Sequence, residues 1–280
     1  MKVHVLGVRG STPAPGHAFA RYGGNTSCVA LARDGELPSL VLDAGTGIRG
    51  LGTLLGERPF RGAVLLGHLH WDHTQGLPFS RSIDVDGAEV QLRLPRSADG
   101  AAAIDVLRRA MSPPHFPIGP EGLQGAWSFD GLDEGTHALA GFEVLAREIP
   151  HKGGRTFGYR ITDGRSSLAY LSDHGPAGLG PGPDGWGPYH DAALALAADV
   201  DLLVHDAQHT APELPARVGW GHSAADYPVR LAERAGARAV LLFHHDPART
   251  DDEIDAIVAG FADAPVPVEA AAESTTHHLR

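Results

Sequence analysis

The chain has 280 residues, 42% hydrophobic and 20% charged, which suits a soluble globular protein with a large core. Its formal charge of −11, with lysine only at Lys2 and Lys152, argues against a basic face for gripping a long phosphate backbone. The single cysteine, Cys28, excludes an intramolecular disulfide, and no apolar stretch is long enough for a signal peptide or a membrane span. A cytoplasmic location and no membrane partner are therefore expected. Long nucleic acids are not expected as partners, whereas small anionic substrates stay compatible with the charge, because bound metals make a site locally positive.

Short β-type runs open the chain at Val3–Val8, Ser27–Ala32 and Leu40–Leu42, each bounded by Gly, Pro, Asn or Asp. A further strand, Ala63–Leu66, runs into Gly67-His68-Leu69-His70-Trp71-Asp72-His73. Residues 101–111 read as a helix that Pro113, Pro114 and Pro117 stop. Strands return at 142–149, 157–162 and 168–171. The segment 175–188 holds too few side chains to pack as an element; the alternatives are an interdomain linker and a loop over the active site, and the second is preferred because candidate ligands flank it on both sides. A helix at 190–198, a strand at 201–205, a helix at 223–235, a strand at 238–243 and a helix at 251–262 complete the order. No internal repeat is present, and a single domain over residues 1–280 is expected.

The strongest chemical signal is His68-Leu69-His70-Trp71-Asp72-His73. Residues two apart on a strand point the same way, so His68 and His70 at a strand end are expected to converge, and the following turn can swing Asp72 and His73 back to them. Three imidazoles and a carboxylate in six residues suit a borderline-soft divalent ion such as zinc. The plain alternative is a His-rich surface turn. Against it stand further donors placed just past β-runs: His151 after 142–149, Asp173 after 168–171, and His244 after the strand ending at Phe243.

This order, His-x-His-x-Asp-His, then His, Asp and His at strand ends, resembles the metallo-β-lactamase fold over nearly the whole chain. The resemblance implies an α/β fold, a four-layered αββα sandwich, with a dinuclear metal centre at one edge. Carried over by residue, His68, His70 and His151 would hold one metal, Asp72, His73 and His244 the other, and Asp173 would bridge them; His245 is the competing choice for the last ligand. Two divalent ions, zinc or alternatively manganese, would trap a bridging hydroxide and polarise the substrate oxygen.

The fold hosts many activities. Asp173 stands where secreted β-lactamases of this fold carry Cys, which argues against antibiotic hydrolysis. Gly219-Trp220-Gly221-His222-Ser223-Ala224 resembles the His-Ser-Thr motif of the phosphodiesterase branch, with Ala224 in place of Thr. There the His sits by the substrate phosphate and assists the leaving oxygen, so Asp72 and His222 are the catalytic candidates. The alternative makes Ser223 a helix N-cap and His222 a bystander. Ribonuclease Z of that branch carries a long tRNA-binding arm between the equivalents of His151 and Asp173. Here that interval is 22 residues, so a small phosphodiester such as a cyclic nucleotide or cyclic ribose phosphate is the expected substrate. A thioesterase or lactonase on the same centre is the alternative, and a non-catalytic metal-binding module the third; a homodimer is left open by the resemblance.

Gly7-Val8-Arg9-Gly10-Ser11-Thr12-Pro13 and Arg21-Tyr22-Gly23-Gly24-Asn25-Thr26-Ser27 also resemble this branch, and their turns could bring backbone N–H groups or Asn25 near the metals. Asp43 and Asp206, each at the end of a β-run, could orient a ligand His, the alternative for both being a structural hydrogen-bonding role. His115, His174 and His209 receive no role.

Overall fold

The computed structural model describes residues 1–280. In chain order the elements are β1 (Lys2–Gly7), β2 (Cys28–Ala32), β3 (Leu40–Leu42), α1 (Leu51–Leu55), β4 (Arg61–Leu65), α2 (Trp71–Thr74), β5 (Glu89–Pro95), α3 (Ala103–Arg108) and β6 (Ala126–Leu132). Then come β7 (Gly135–Leu139), β8 (Phe142–Glu148), β9 (Phe157–Thr162), β10 (Ser167–Leu171), α4 (Asp191–Ala197), β11 (Leu202–Asp206), α5 (Leu214–Arg217), α6 (Asp226–Ala235), β12 (Val240–Phe243), α7 (Asp251–Ala259), β13 (Val268–Ala270) and β14 (Thr276–His278). No helix is long and apolar enough to cross a membrane.

Two seven-stranded sheets result, ordered β14-β1-β2-β3-β4-β5-β6 and β13-β12-β11-β10-β9-β8-β7. Strand alternation explains why they stack with helices outside. On β4, Ala63 and Leu65 enter the core between the sheets while Val64 packs outward beside Ile48, Leu51 and Leu107. On β12, Leu241 and Phe243 face that central core while Val240 and Leu242 pack outward beside Leu196, Tyr227 and Leu231. Strands buried on both faces need helices on both sides. The layers run α, β, β, α, as the resemblance implies. Each fully buried Val, Leu, Ile or Phe contributes roughly 1.5–3 kcal/mol, and the central core holds most of its large side chains at or near zero exposure.

Pairing direction positions the site. β3, β4 and β5 run parallel in one sheet, and β10, β11 and β12 run parallel in the other. Parallel strands deliver their C-terminal ends to one edge, where open α/β sheets gather ligands. Asp43 follows β3, His68 lies beyond β4, Asp173 beyond β10, Asp206 ends β11 and His244 follows β12.

Several expectations need correction. β4 ends at Leu65, so His68 and His70 lie in the segment beyond it and strand alternation does not align them. The helix expected at 101–111 stops at Arg108, before its prolines, and the last helix ends at Ala259 beside Gly260, not at 262. The helix expected from residue 223 starts at Asp226. Strands β5, β6, β7, β13 and β14 were not expected at all. Segment 175–188 contributes no residue to the cleft at the donor cluster. It folds back on itself, with Gly187 against Pro176, and accepts a hydrogen bond from Tyr227 of α6 at the Pro188 carbonyl.

Candidate metal centre

His70 is the N-cap of α2, and the helix turns Asp72 and His73 inward. The first donor group is His68, His70, His151 and Asp173; the second is Asp72, His73, Asp173 and His244, with donor atoms within 4.8 Å of one another in each. Asp173 belongs to both and divides its oxygens between them. Its Oδ2 lies 3.7 Å from His68 Nε2 and 3.5 Å from His151 Nε2, while its Oδ1 lies 3.0 Å from His73 Nε2 and 3.1 Å from His244 Nε2. Asp72 Oδ2 is 3.2 Å from both His73 Nε2 and His244 Nε2. All seven residues expected from the sequence are thus brought together.

The donor set fits divalent cations on three counts. Metal–ligand bonds of about 2.0–2.2 Å in a tetrahedron hold donor atoms roughly 3.3–3.6 Å apart, close to the separations found here. Both ring nitrogens of His68, Nε2 of His73 and Oδ1 of Asp173 are buried without a hydrogen-bond partner, a costly state for polar atoms unless an ion takes their lone pairs. Finally, Asp43, Asp72 and Asp173 are buried together and pair only with histidines, with no Lys or Arg to balance them. Burial alone would push the Asp173 carboxyl up, but His244, His73 and His68 outweigh it and hold it well below the usual carboxylate range. Burial, reinforced by His73, holds His68 in its neutral, metal-competent form.

Asp43 anchors the second group. It accepts from Gly67 N (2.8 Å), Tyr170 OH (2.8 Å) and Ser172 Oγ (3.1 Å), and its Oδ2 lies 2.8 Å from His73 Nδ1. His73 is thereby fixed with Nε2 towards the centre. Asp43 sits in the left-handed region at φ 57°, as do Ser11 and His244, both at φ 59°. Such backbone strain clusters at functional sites. Asp43→Asn keeps the shape and tolerates that φ, but one of its terminal atoms can no longer accept. We expect divalent-cation affinity to fall about 10- to 100-fold, read by competition with a chromogenic chelator.

The Gly10-Ser11 turn reaches the centre through Ser11 N, which donates to Asp72 Oδ2 at 2.7 Å. Asn25 does not; its side chain is committed to Glu273. A Cβ on Gly10 would stand 2.4 Å from the His244 ring, which Gln208 Oε1 holds at Nδ1 (3.1 Å). Gly10→Ala is therefore expected to displace His244 and lower divalent-cation binding, measured by metal content per chain. His245 turns away, with Nε2 3.0 Å from the Ala271 carbonyl, so it is not the competing donor.

His222 lies beside this centre. Its Nδ1 is 2.8 Å from Asp206 Oδ2, its ring stacks on His244 at 5.0 Å, and it lines a cleft of about 450 Å³ with Ser11, His70, Trp71, Asp72 and Asp173. Burial works against its charged form, but Asp206, with Asp173 and Asp72 beyond, prevails and pushes its pKa up to about 9. Ser223 is not a helix N-cap: that position is Ala225, and Ser223 Oγ donates to the His174 carbonyl (2.6 Å). His174 itself is buried and linked to the buried His205 and the half-buried His190, each link 2.8 Å. Ser11 and Gln208 carried no signal of their own, since backbone donation and a glutamine behind a histidine leave no spacing pattern.

A beta-lactamase superfamily domain matches residues 39–245. A ribonuclease Z of Natronomonas pharaonis is 25% identical over 310 residues, covering 95% of each chain. Among solved structures, the metallo-beta-lactamase fold protein YhfI of Bacillus subtilis superposes with a TM-score of 0.71 at 20% identity, over 99% of this chain and 98% of that one. A diphosphatase of the PhnP family gives 0.69 at 19%, over 100% and 98%. The matched segment runs from the strand before Asp43 to the turn that carries His244, and the chain belongs to the beta-lactamase superfamily.

Proposed function

We propose that this hydrolase is a phosphodiesterase acting on a small diester such as a cyclic nucleotide or cyclic ribose phosphate. His68, His70 and His151 would hold one divalent cation and Asp72, His73 and His244 the other, with the Asp173 carboxylate within reach of both groups. Zinc suits this donor set, with manganese the alternative. Lewis acidity is what the pair supplies when bound: an ionisable water and a polarised phosphoryl oxygen. His222, lining the cleft with Nδ1 held by Asp206, donates from its other ring nitrogen to the oxygen that leaves the phosphorus. Asp206 fixes the tautomer and favours the protonated ring. Ser11 N holds Asp72 in place by its 2.7 Å hydrogen bond.

The observation that carries this reading is the His222–Asp206 pair beside the shared carboxylate. A proton donor for a departing alkoxide is what a phosphodiester needs, whereas a thiolate leaves without one.

The ribonuclease Z relative favours a second reading, cleavage of an RNA precursor. Against it, residues between His151 and Asp173 form only β9, β10 and their turns, with no projecting arm. The arginines that line the adjoining hollow beside His68 and His70 are also paired: Arg96 with Asp133, Arg109 with Asp99 and Arg155 with Glu148. Metal-loaded protein should hydrolyse bis(p-nitrophenyl) phosphate and at least one cyclic nucleotide, and leave a tRNA precursor intact. No turnover of either diester would end the reading.

A further inference from the structure

Next to the metal-binding cleft lies a second hollow of about 450 Å³, lined chiefly by Trp71, Leu77, Phe79, Leu107, Met111 and Phe116. Helix α2 forms the partition between the two. Asp72 and His73 face the donor cluster, while Trp71, Thr74 and Gln75, spaced three and four apart on the same helical turn, line the hollow. Trp71 lines both spaces, so the hollow adjoins the cleft at this largely exposed side chain.

The walls describe the occupant. Trp71 is 76% exposed and Phe79 60% exposed, and the Phe79 and Phe116 rings meet edge to face at 5.8 Å. Large aromatic side chains left open beside a reaction centre mark a binding surface. Aromatic faces stack any nucleobase, and the exposed His115, with Gln75 Oε1, sets polar groups among them for the heteroatoms of a base edge. An acyl chain has no use for those groups.

Building on the phosphodiesterase reading, we propose that this aromatic hollow is the nucleobase subsite, so the substrate is a nucleotide diester and not a base-free sugar phosphate. The base stacks against Trp71, Phe79 and Phe116 while its phosphodiester lies over Asp72 and Asp173. These residues, and not the metal ligands, then set specificity.

The test compares metal-loaded wild type with Phe79→Ala and Phe116→Ala on 3′,5′-cyclic AMP and on the same cyclic ribose phosphate without a base. Phe79 is exposed and Phe116 is half-buried at the rim of the hollow, so each variant's melting curve is compared with wild type to confirm folding. Wild type should favour the nucleotide at least about 10-fold in kcat/KM, and each variant should raise KM for the nucleotide about 10-fold or more with kcat nearly kept. A binding arm needs no turnover: AMP should quench tryptophan emission in wild type, the quench should vanish in Trp71→Phe, and ribose 5-phosphate should give none. Equal turnover of the two diesters, variants that retain the nucleotide preference, or displacement of AMP by decanoate each overturn the subsite. Should neither diester be cleaved while AMP still quenches through Trp71, the phosphodiesterase reading fails and the base subsite stands.

Discussion

Asp173→Ala is expected to empty both cation positions at once. Each Asp173 oxygen belongs to a different donor group, so removing the carboxylate leaves three donors on either side and takes away the one negative charge common to both. The chain should bind two zinc ions in the wild type and less than one in the variant under the same dialysis, read by atomic absorption. Single losses at the flanks should behave differently: His70→Ala should release only the cation of the first group, and His244→Ala only that of the second. Lewis acidity is worth several kcal/mol of transition-state stabilisation, so activity of Asp173→Ala should fall by about 10³-fold or more. Stability carries the same signature. A cation at about 1,000 times its Kd adds about 4 kcal/mol per site, or roughly 8–16 °C in melting temperature for a chain of this size. Wild type should show that rise on adding zinc, and Asp173→Ala should not. Two zinc ions retained by Asp173→Ala would refute the shared-carboxylate arrangement.

The later candidate donors, His151, Asp173 and His244, were legible because each stands within three residues of the end of a strand, β8, β10 or β12. Asp173, His244 and Asp206 follow apolar runs buried on both faces, and such runs announce themselves. The pairing of the His68 and His70 rings was expected from alternation along a strand, yet the strand stops at Leu65, and the extended segment that follows brings the rings to within 4.4 Å of each other. The outcome matched for a different geometric reason. β5 was readable in Glu89-Val90-Gln91-Leu92-Arg93-Leu94, where every second residue is buried. β6 and β7 carried weaker signals: Gly131 interrupts one, Gly135 opens the other, and both lie at sheet edges where one side goes unpaired. The aromatic hollow could not have been read at all. Leu77 to Phe79 and Leu107 to Phe116 are separate segments, and no local pattern says that two stretches about thirty residues apart will leave their aromatic rings open to solvent on the same side of α2.

His222→Ala is expected to separate proton donation from metal binding. The ring makes its one side-chain hydrogen bond to Asp206 and lies outside both groups that share Asp173, so the variant should keep two cations per chain. General acid catalysis contributes about 10²–10⁴-fold, and kcat on a cyclic nucleotide, whose leaving group is a sugar alkoxide, should fall by that order with KM little changed. p-Nitrophenolate departs without a proton, so the loss on bis(p-nitrophenyl) phosphate should be at least about 10-fold smaller. Added imidazole should restore part of the rate on the nucleotide, since the truncation opens space in a cleft that His222 lines. Asp206→Asn should also keep both cations yet lower kcat, because an amide that donates to Nδ1 forces the wrong tautomer on the ring. Two results would count against this role. Asp206, His222 and His244 also lie within reach of a common ion, so loss of a cation in His222→Ala would make the histidine a ligand. An equal loss on alkoxide and p-nitrophenolate substrates would make it a positioning group, for a residue that delivers a proton must matter most where the leaving oxygen needs one.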